Sequence, residues 1–208
     1  MLMNGILYNT EAWHNIREKE IKRLEEVDEY LLRTLVHGHA KTPIEFIYLE
    51  TGSIPIRYII GSRRMCFLQT ILKREDRELT KKVYRAQTKN PIDGDFYMLV
   101  KEDFKNIGEE IDETRIANTS TNLYKEYIKK KTRAAAFENL KRQQKTHSKV
   151  KEIKYTGLET QSYITSPMFN DKEVSLLFAM RLNCVWQCKA NLSSEHNQSH
   201  EIFCIFCS

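Results

Sequence analysis

The chain has 208 residues, with 33 Lys+Arg against 28 Asp+Glu for a formal net charge of +5, and 41% hydrophobic and 29% charged residues. That is one domain of ordinary size or two small ones, with apolar content enough for a core, which excludes collagen-like, coiled-coil-only and wholly disordered chains. Seven Gly and four Pro are too few for a Gly-rich nucleotide-binding fold or a turn-rich β-sandwich, so the expected fold is mainly α.

No apolar run approaches the roughly 20 residues that a bilayer span needs, so no membrane partner is expected. The start, Met1 to Tyr8, lacks the basic leader of a signal peptide and is too short for one. Five cysteines, an odd number, argue against a secreted disulfide framework, and four of them (Cys184, Cys188, Cys204, Cys207) crowd the C-terminal end. An intracellular protein of nucleus or cytoplasm, with a metal-prone tail, is the expectation.

In chain order, Ile21, Leu24, Val27, Leu31 and Leu35 fall at helical spacing and predict a helix from Glu18 to Leu35, stopped before Gly38. Thr42-Pro43-Ile44-Glu45 reads as a capping box with Pro at the first helical position, opening a short helix that ends at Gly52. Pro55 opens another, to about Lys73, with Ile56, Ile59, Ile60, Phe67 and Ile71 on one side. At about 100° per residue, Asp28 and Arg63 interrupt these apolar sides. They either pair with each other or snorkel separately to solvent.

Glu78 to Asn90 is a shorter helical segment whose apolar face is Leu79, Val83 and Ala86. Asn90-Pro91-Ile92-Asp93-Gly94-Asp95 is a turn, and Asp95 caps a helix through Phe96, Leu99, Val100 and Phe104. Residues 101–115 are acidic. Thr156-Gly157 and Thr165-Ser166-Pro167 mark loops, and Asn170 or Asp171 caps an apolar helix over 174–182.

Between Asn122 and Lys154 stand eleven Lys/Arg and three Glu, a local net of +8, so the remaining residues sum to −3. Lys125, Lys129, Lys130, Lys131 and Arg133 lie within three turns; Lys141, Arg142, Lys145, Lys149, Lys151 and Lys154 continue them. Leu123, Tyr127, Ala134, Phe137 and Leu140 keep a weak helical face through the stretch. Such cations neutralise phosphates and release counterions without reading sequence. Tyr124, Tyr127 and Tyr155 are interleaved where they could stack on bases. A solvated helix face is the plain alternative; the local concentration of charge favours nucleic acid.

Cys204-Ile205-Phe206-Cys207 is a C-x-x-C, a spacing that turns two thiolates toward one metal. Three readings stand for this tail: a closed site from His196, His200, Cys204 and Cys207, a half-site lacking its other ligands, or ordinary thiols. No Gly-rich phosphate loop, G-x-S-x-G, H-E-x-x-H or apolar-set carboxylate pair occurs, so no catalytic residue is assigned.

Read together, the short motifs resemble a family. Ile6-Leu7-Tyr8-Asn9-Thr10-Glu11-Ala12-Trp13 resembles the "LLYG-x-E-x-W" that follows the polymerase palm in non-LTR retrotransposon reverse transcriptases. Thr42-Pro43-Ile44-Glu45 with Tyr48-Leu49-Glu50-Thr51-Gly52 looks like its "TP-x-E-x-LYLE-x-G". Ile54-Pro55-Ile56-Arg57-Tyr58-Ile59-Ile60 with Arg63-Arg64-Met65 resembles its "IPIRFII-x-x-RRL". Tyr84-Arg85-Ala86-Gln87, Asp95 through Asp103, and His147-Ser148-Lys149-Val150 continue the match. Leu176 through Arg181 and Lys189-Ala190-Asn191 look like "LLF-x-LR…VK-x-NF", while Cys184, Trp186 and Cys188 replace basic or aliphatic residues. Cys204 and Cys207 then stand where the family begins a Cys-Cys-His-Cys zinc knuckle.

The resemblance runs from about residue 4 onward in one order and points to the elements with a restriction-like endonuclease beyond the knuckle. It implies a helical thumb-like domain over 1–118, a basic helical linker over 119–155, and a connector helix with a truncated, Cys/His-rich knuckle start over 156–208. It implies a non-catalytic fragment, since the palm with its paired aspartates and the endonuclease fall outside the match. RNA or an RNA/DNA duplex is the expected partner, held by the basic stretch and by Arg57, Arg63 and Arg64. No cofactor is expected to bind tightly; zinc would bind if the knuckle were complete. The alternative is a host-co-opted helical module whose basic face meets an acidic protein.

Overall fold

The computed structural model describes residues 7–12, 16, 18–36, 38–147, 150, 151 and 153–194, with the side chains of the last helix described to Leu182. Among the described residues all regular structure is helical. A 3-10 turn, Thr10–Ala12, precedes α1 (Glu18–Leu35), α2 (Ile44–Thr51), α3 (Ile56–Leu72), α4 (Leu79–Lys89) and α5 (Phe96–Asn106). Then come α6 (Glu113–Asn118), α7 (Thr121–Gln144), α8 (Ser162–Thr165) and α9 (Asp171–Ser194). No described helix is long and apolar enough to cross a membrane. The chain divides into two compact units: residues through Tyr30 with Ile54–Asn139, and Leu31–Ser53 with the residues from Leu140 on.

The first unit is built around α3. Pro55 starts this helix with φ −54°, the value its ring imposes. Ile56, Ile60, Met65, Leu68, Ile71 and Leu72 are all buried, more than one stripe, because α3 packs against the 3-10 turn, α4, α5 and α6. Leu7, Ile56 and Ile60 form one apolar cluster. A larger one joins Met65, Leu68, Ile71 and Leu72 to Tyr84, Val100, Phe104, Ile116, Tyr124 and Ile128. Asp95 caps α5 as its position implies, accepting from the Met98 amide at 2.8 Å. Asp112 does the same for α6, accepting from Arg115 at 2.9 Å.

The apolar pattern of α1 is partly overridden. Its ends match the expected bounds, but Val27 and Leu35 are exposed while Asp28 and Leu32 are buried. Arg63 donates to the carbonyl of Leu7 and toward Thr10 Oγ1, so it ties α3 to the turn before α1.

The second unit centres on α2, a short helix buried from Phe46 to Thr51. It opens one residue later than its sequence suggests, at Ile44, with Pro43 as the capping residue and no side-chain cap. Thr42 is engaged in the preceding turn: its amide donates to the His39 carbonyl at 2.9 Å, and its own carbonyl accepts from Arg33 at 2.8 Å. The other end obeys the pattern. Gly52 takes φ +63°, the left-handed cap glycine adopts without strain, and a Cβ there would fall 2.3 Å from the Thr160 amide nitrogen. Phe46 packs against Phe178 of α9, ring centroids 5.3 Å apart. Asn170 caps α9, its Oδ1 accepting from Lys172 and Glu173 at 3.0 and 3.1 Å while Glu173 accepts from the Asn170 amide at 2.8 Å, a reciprocal capping box. The helix runs to Ser194 rather than ending near Leu182.

Candidate nucleic-acid interface

Helix α7 carries most of the basic segment, and its buried side differs from the apolar face its sequence suggests. Tyr124, Ile128, Thr132, Ala136, Leu140 and Gln144 are buried, one residue in four. A step of four turns a helix by about 40° beyond a full circle, so the buried line winds around α7 instead of holding one side. Leu123 is 63% exposed, and Ala134 is exposed. The expected face at 123, 127, 134, 137 and 140 is therefore corrected at Leu123 and Ala134, while Leu140 is buried and Tyr127 and Phe137 are half-buried. Two of the polar members are anchored: Tyr124 donates to the Met65 carbonyl at 3.3 Å, and Gln144 donates to the carbonyls of Val150 and Ile153, while the buried Thr132 hydroxyl has no hydrogen-bond partner among the described residues.

Within the first unit, Lys125, Lys129 and Lys130 are exposed; by helical spacing Lys125 and Lys129 flank the buried line and Lys130 lies opposite it. Lys131 and Arg133 are half-buried. Lys131 pairs with Glu109 at 2.6 Å and lies 5.7 Å from the centroid of the Tyr127 ring, which Arg115 also faces at 5.0 Å. The hydrogen bond from Lys131 holds the Glu109 carboxyl below the usual carboxylate range, with Tyr127 adding to it. The acidic 101–115 stretch thus neutralises part of the basic helix. Beside it, a groove of about 890 Å³ is lined by Tyr97, Lys101, Phe104, Lys105, Glu109 and Glu110, with mixed charge and no convergent acid–base pair.

Within the second unit, Arg142, Lys145, Lys151 and Lys154 are exposed and Lys141 is half-buried. Lys149 lies outside the described residues. His147, without an evident partner in sequence, stands 3.2 Å from Glu45.

The tyrosines expected to stack on bases are otherwise engaged. Tyr124 and Tyr155 are buried, because each gains a hydrogen-bond acceptor inside its own unit, and Tyr127 alone reaches the surface, between Arg115 and Lys131. The arginines of α3 are also committed to internal contacts. Arg57 donates to Glu25 at 2.6 and 2.8 Å and to Glu18 at 3.0 Å, and the Glu25 bond raises its pKa further. Arg64 is 5% exposed and grips Asp103 with both arms, Nε to Oδ2 at 2.7 Å and Nη2 to Oδ1 at 2.9 Å. Burial pushes the Asp103 carboxyl up, against the pull of Arg64. Arg64 cannot reach a phosphate without breaking that pair, which removes it from the contact surface.

A second polar centre was not legible in sequence. Glu50 is fully buried, yet its carboxylate accepts four donors within the second unit. Tyr155 and Arg181 (Nε at 3.0 Å, Nη2 at 2.8 Å) reach Oε1, and Tyr163 reaches Oε2 at 2.6 Å. Burial, then Glu50, lifts both tyrosine hydroxyls well above their usual range. The arrangement offers no open position for a substrate and acts as a clasp, joining α2 to α9, to α8 through Tyr163, and to Tyr155 between α7 and α8.

Among the described residues, no group of three or more His, Cys, Asp or Glu stands where it could hold a metal ion. Cys204, Cys207, His196 and His200 lie outside the described residues. Comparison of the chain with protein-family models, with curated proteins and with solved structures returned no match.

Proposed function

We propose that the chain is the thumb and linker segment of a reverse transcriptase of the non-LTR retrotransposon kind, without catalysis of its own, gripping template–primer nucleic acid through the basic helix α7. The supporting observation is the trio Lys125, Lys129 and Lys130, exposed on a helix held in place by buried Tyr124, Ile128, Thr132 and Ala136. Cations at fixed spacing on a rigid helix bind phosphates and release counterions without base readout. The ordered motifs from Leu7 to Arg181 give this binding its context. A helical bundle around α3 is the thumb-like part, and Cys204 and Cys207 are the opening of a zinc knuckle, supplying two of the four ligands that a structural zinc takes.

The rival is an acidic protein as the partner of the same lysines. Competition separates the two. A recessed-end RNA/DNA hybrid that displaces labelled duplex well below the charge-equivalent concentration of heparin supports nucleic acid. Heparin competing equally or better supports the acidic-protein reading.

A further inference from the structure

Helix α4 is amphipathic with its apolar side outward. Leu79, Val83 and Ala86 share one stripe by helical spacing, and the sequence suggests that this stripe faces the core. Leu79 is instead 76% exposed and Val83 47% exposed, with Ala86 exposed beside them. The side turned inward carries Tyr84, Thr80, Lys81, Gln87 and Thr88.

This orientation is held by specific bonds. Tyr84 donates to Glu113 at 2.8 Å, and its ring meets Phe96 and Tyr97 edge-on, at 6.5 and 6.1 Å between centroids. Lys81 donates to the Arg74 carbonyl at 2.7 Å and pairs with Asp76 at 3.0 Å; Arg74 donates to Thr80 at 3.1 Å. Turning the apolar stripe inward would break all of these. The outward stripe also has a consistent electrostatic frame. From Leu79 to Lys89 the helix holds Lys81, Lys82, Arg85 and Lys89 and no acidic residue. Lys82 and Lys89 lie along one edge of the stripe, with Arg85 next to them, 3.9 Å from the exposed Asp76, and all three are exposed.

We propose that α4 is a docking surface for an acidic amphipathic helix of another protein. The partner's apolar side chains would pack on Leu79, Val83 and Ala86, and its carboxylates would face Lys82, Arg85 and Lys89. The spacing i, i+4, i+7 is the anchor pattern of helix-to-helix recognition, and charge complementarity selects an acidic partner. A phosphate backbone offers nothing to Leu79 and Val83. The exposed apolar residues of α1, Val27 and Tyr30, share their side with Lys19, Glu20, Arg23 and Glu26 by helical spacing, so this helix of a second copy offers mixed charge. This surface is separate from α7, and the inference stands without the nucleic-acid reading.

The probe is a labelled synthetic helical peptide with Leu at i, i+4 and i+7 flanked by Glu, titrated against the full chain by anisotropy, with amide chemical shifts mapping the contact. The expected result is saturable binding with shifts concentrated on residues 79–89. Joint Leu79→Ser and Val83→Ser should weaken binding about tenfold or more, and joint Lys82→Gln and Lys89→Gln should weaken it and flatten its salt dependence. All four positions are exposed, and an unchanged circular dichroism spectrum certifies the fold. Peptide affinity unaffected by the Ser pair overturns the proposal. So do equal affinity for a Lys-flanked peptide, displacement of the peptide by an RNA duplex acting at α4, and self-association of the chain abolished by the Ser pair.

Discussion

Gly61 lies inside α3, where alanine normally stabilises a helix by about 1 kcal/mol. Here the sign should reverse. A Cβ at residue 61 would stand 2.7 Å from Asp103 Oδ1 and 2.9 Å from its Cγ, closer than packed atoms come. Asp103 is a short side chain and cannot swing aside without losing its two bonds from Arg64, at 2.7 and 2.9 Å. Arg64 Nη1 is already buried with no hydrogen-bond partner among the described residues, so the displaced guanidinium has nowhere to turn. Breaking a buried pair costs about 3–5 kcal/mol; set against the helix gain of about 1, Gly61→Ala should destabilise by about 2–4 kcal/mol. At roughly 2–4 °C per kcal/mol for a chain of this size, the melting temperature should fall by about 4–16 °C. Denaturant unfolding followed by circular dichroism measures this. The same substitution in an Arg64→Met, Asp103→Ala background, where the methyl has room, should be neutral or stabilising. A Gly61→Ala protein more stable than wild type, or an equal effect in both backgrounds, would refute the account.

Glu50→Ala strands the donors of Tyr155, Tyr163 and Arg181, and should cost about 3 kcal/mol, the low end for a broken buried pair, because the Arg181 side chain keeps 36% exposure and can reach water. Tyr155→Phe removes one of four bonds and should cost about 1 kcal/mol; equal losses in denaturant unfolding would contradict the clasp. Alkaline titration gives a third check. Burial first, with carboxylate acceptors for Tyr84, Tyr155 and Tyr163, raises the hydroxyls of Tyr84, Tyr124, Tyr155 and Tyr163 above the usual value. Because the folded form holds these protons more tightly, their contribution to stability is complete below the unfolded value of about 10 and is lost as the pH rises beyond it. Tyrosinate absorbance should rise in two phases, the second coinciding with unfolding; a single phase in still-folded protein would count against the burial of all four. Glu109→Gln frees Lys131 and removes a negative charge beside α7, so duplex affinity should rise about two- to fivefold and the salt slope steepen by up to about 1. Weaker binding would show that Glu109 supports the interface instead of masking it.

Element bounds were the most legible feature, because breakers and caps act within a few residues. Pro55, Gly52 and Asp95 stand where their φ angles and side chains require, and α1 keeps its expected ends. Facing was less legible. Periodicity in α4 records that Leu79, Val83 and Ala86 share a side, and only Glu113, Arg74 and Asp76 decide that this side looks outward. In α7 the buried line includes Thr132, Ala136 and Gln144, residues too small or too polar to register beside Leu123 and Phe137. The buried charges were hidden for a similar reason. Glu50 and Arg64 read as surface until their partners are known, and those stand far along the chain: Tyr155 and Arg181 for one, Asp103 for the other.

The measurement that tests the nucleic-acid reading most directly is the affinity for an RNA/DNA hybrid duplex as a function of salt, in wild type and in the joint Lys125→Gln, Lys129→Gln, Lys130→Gln variant. These three lysines are exposed, so the variant should fold. The account predicts steep salt dependence in wild type, and a variant with weaker binding whose log–log slope is shallower by about 2–3, close to one for each phosphate that a lysine no longer neutralises. An unchanged slope in the variant, or salt-insensitive binding in wild type, would contradict it.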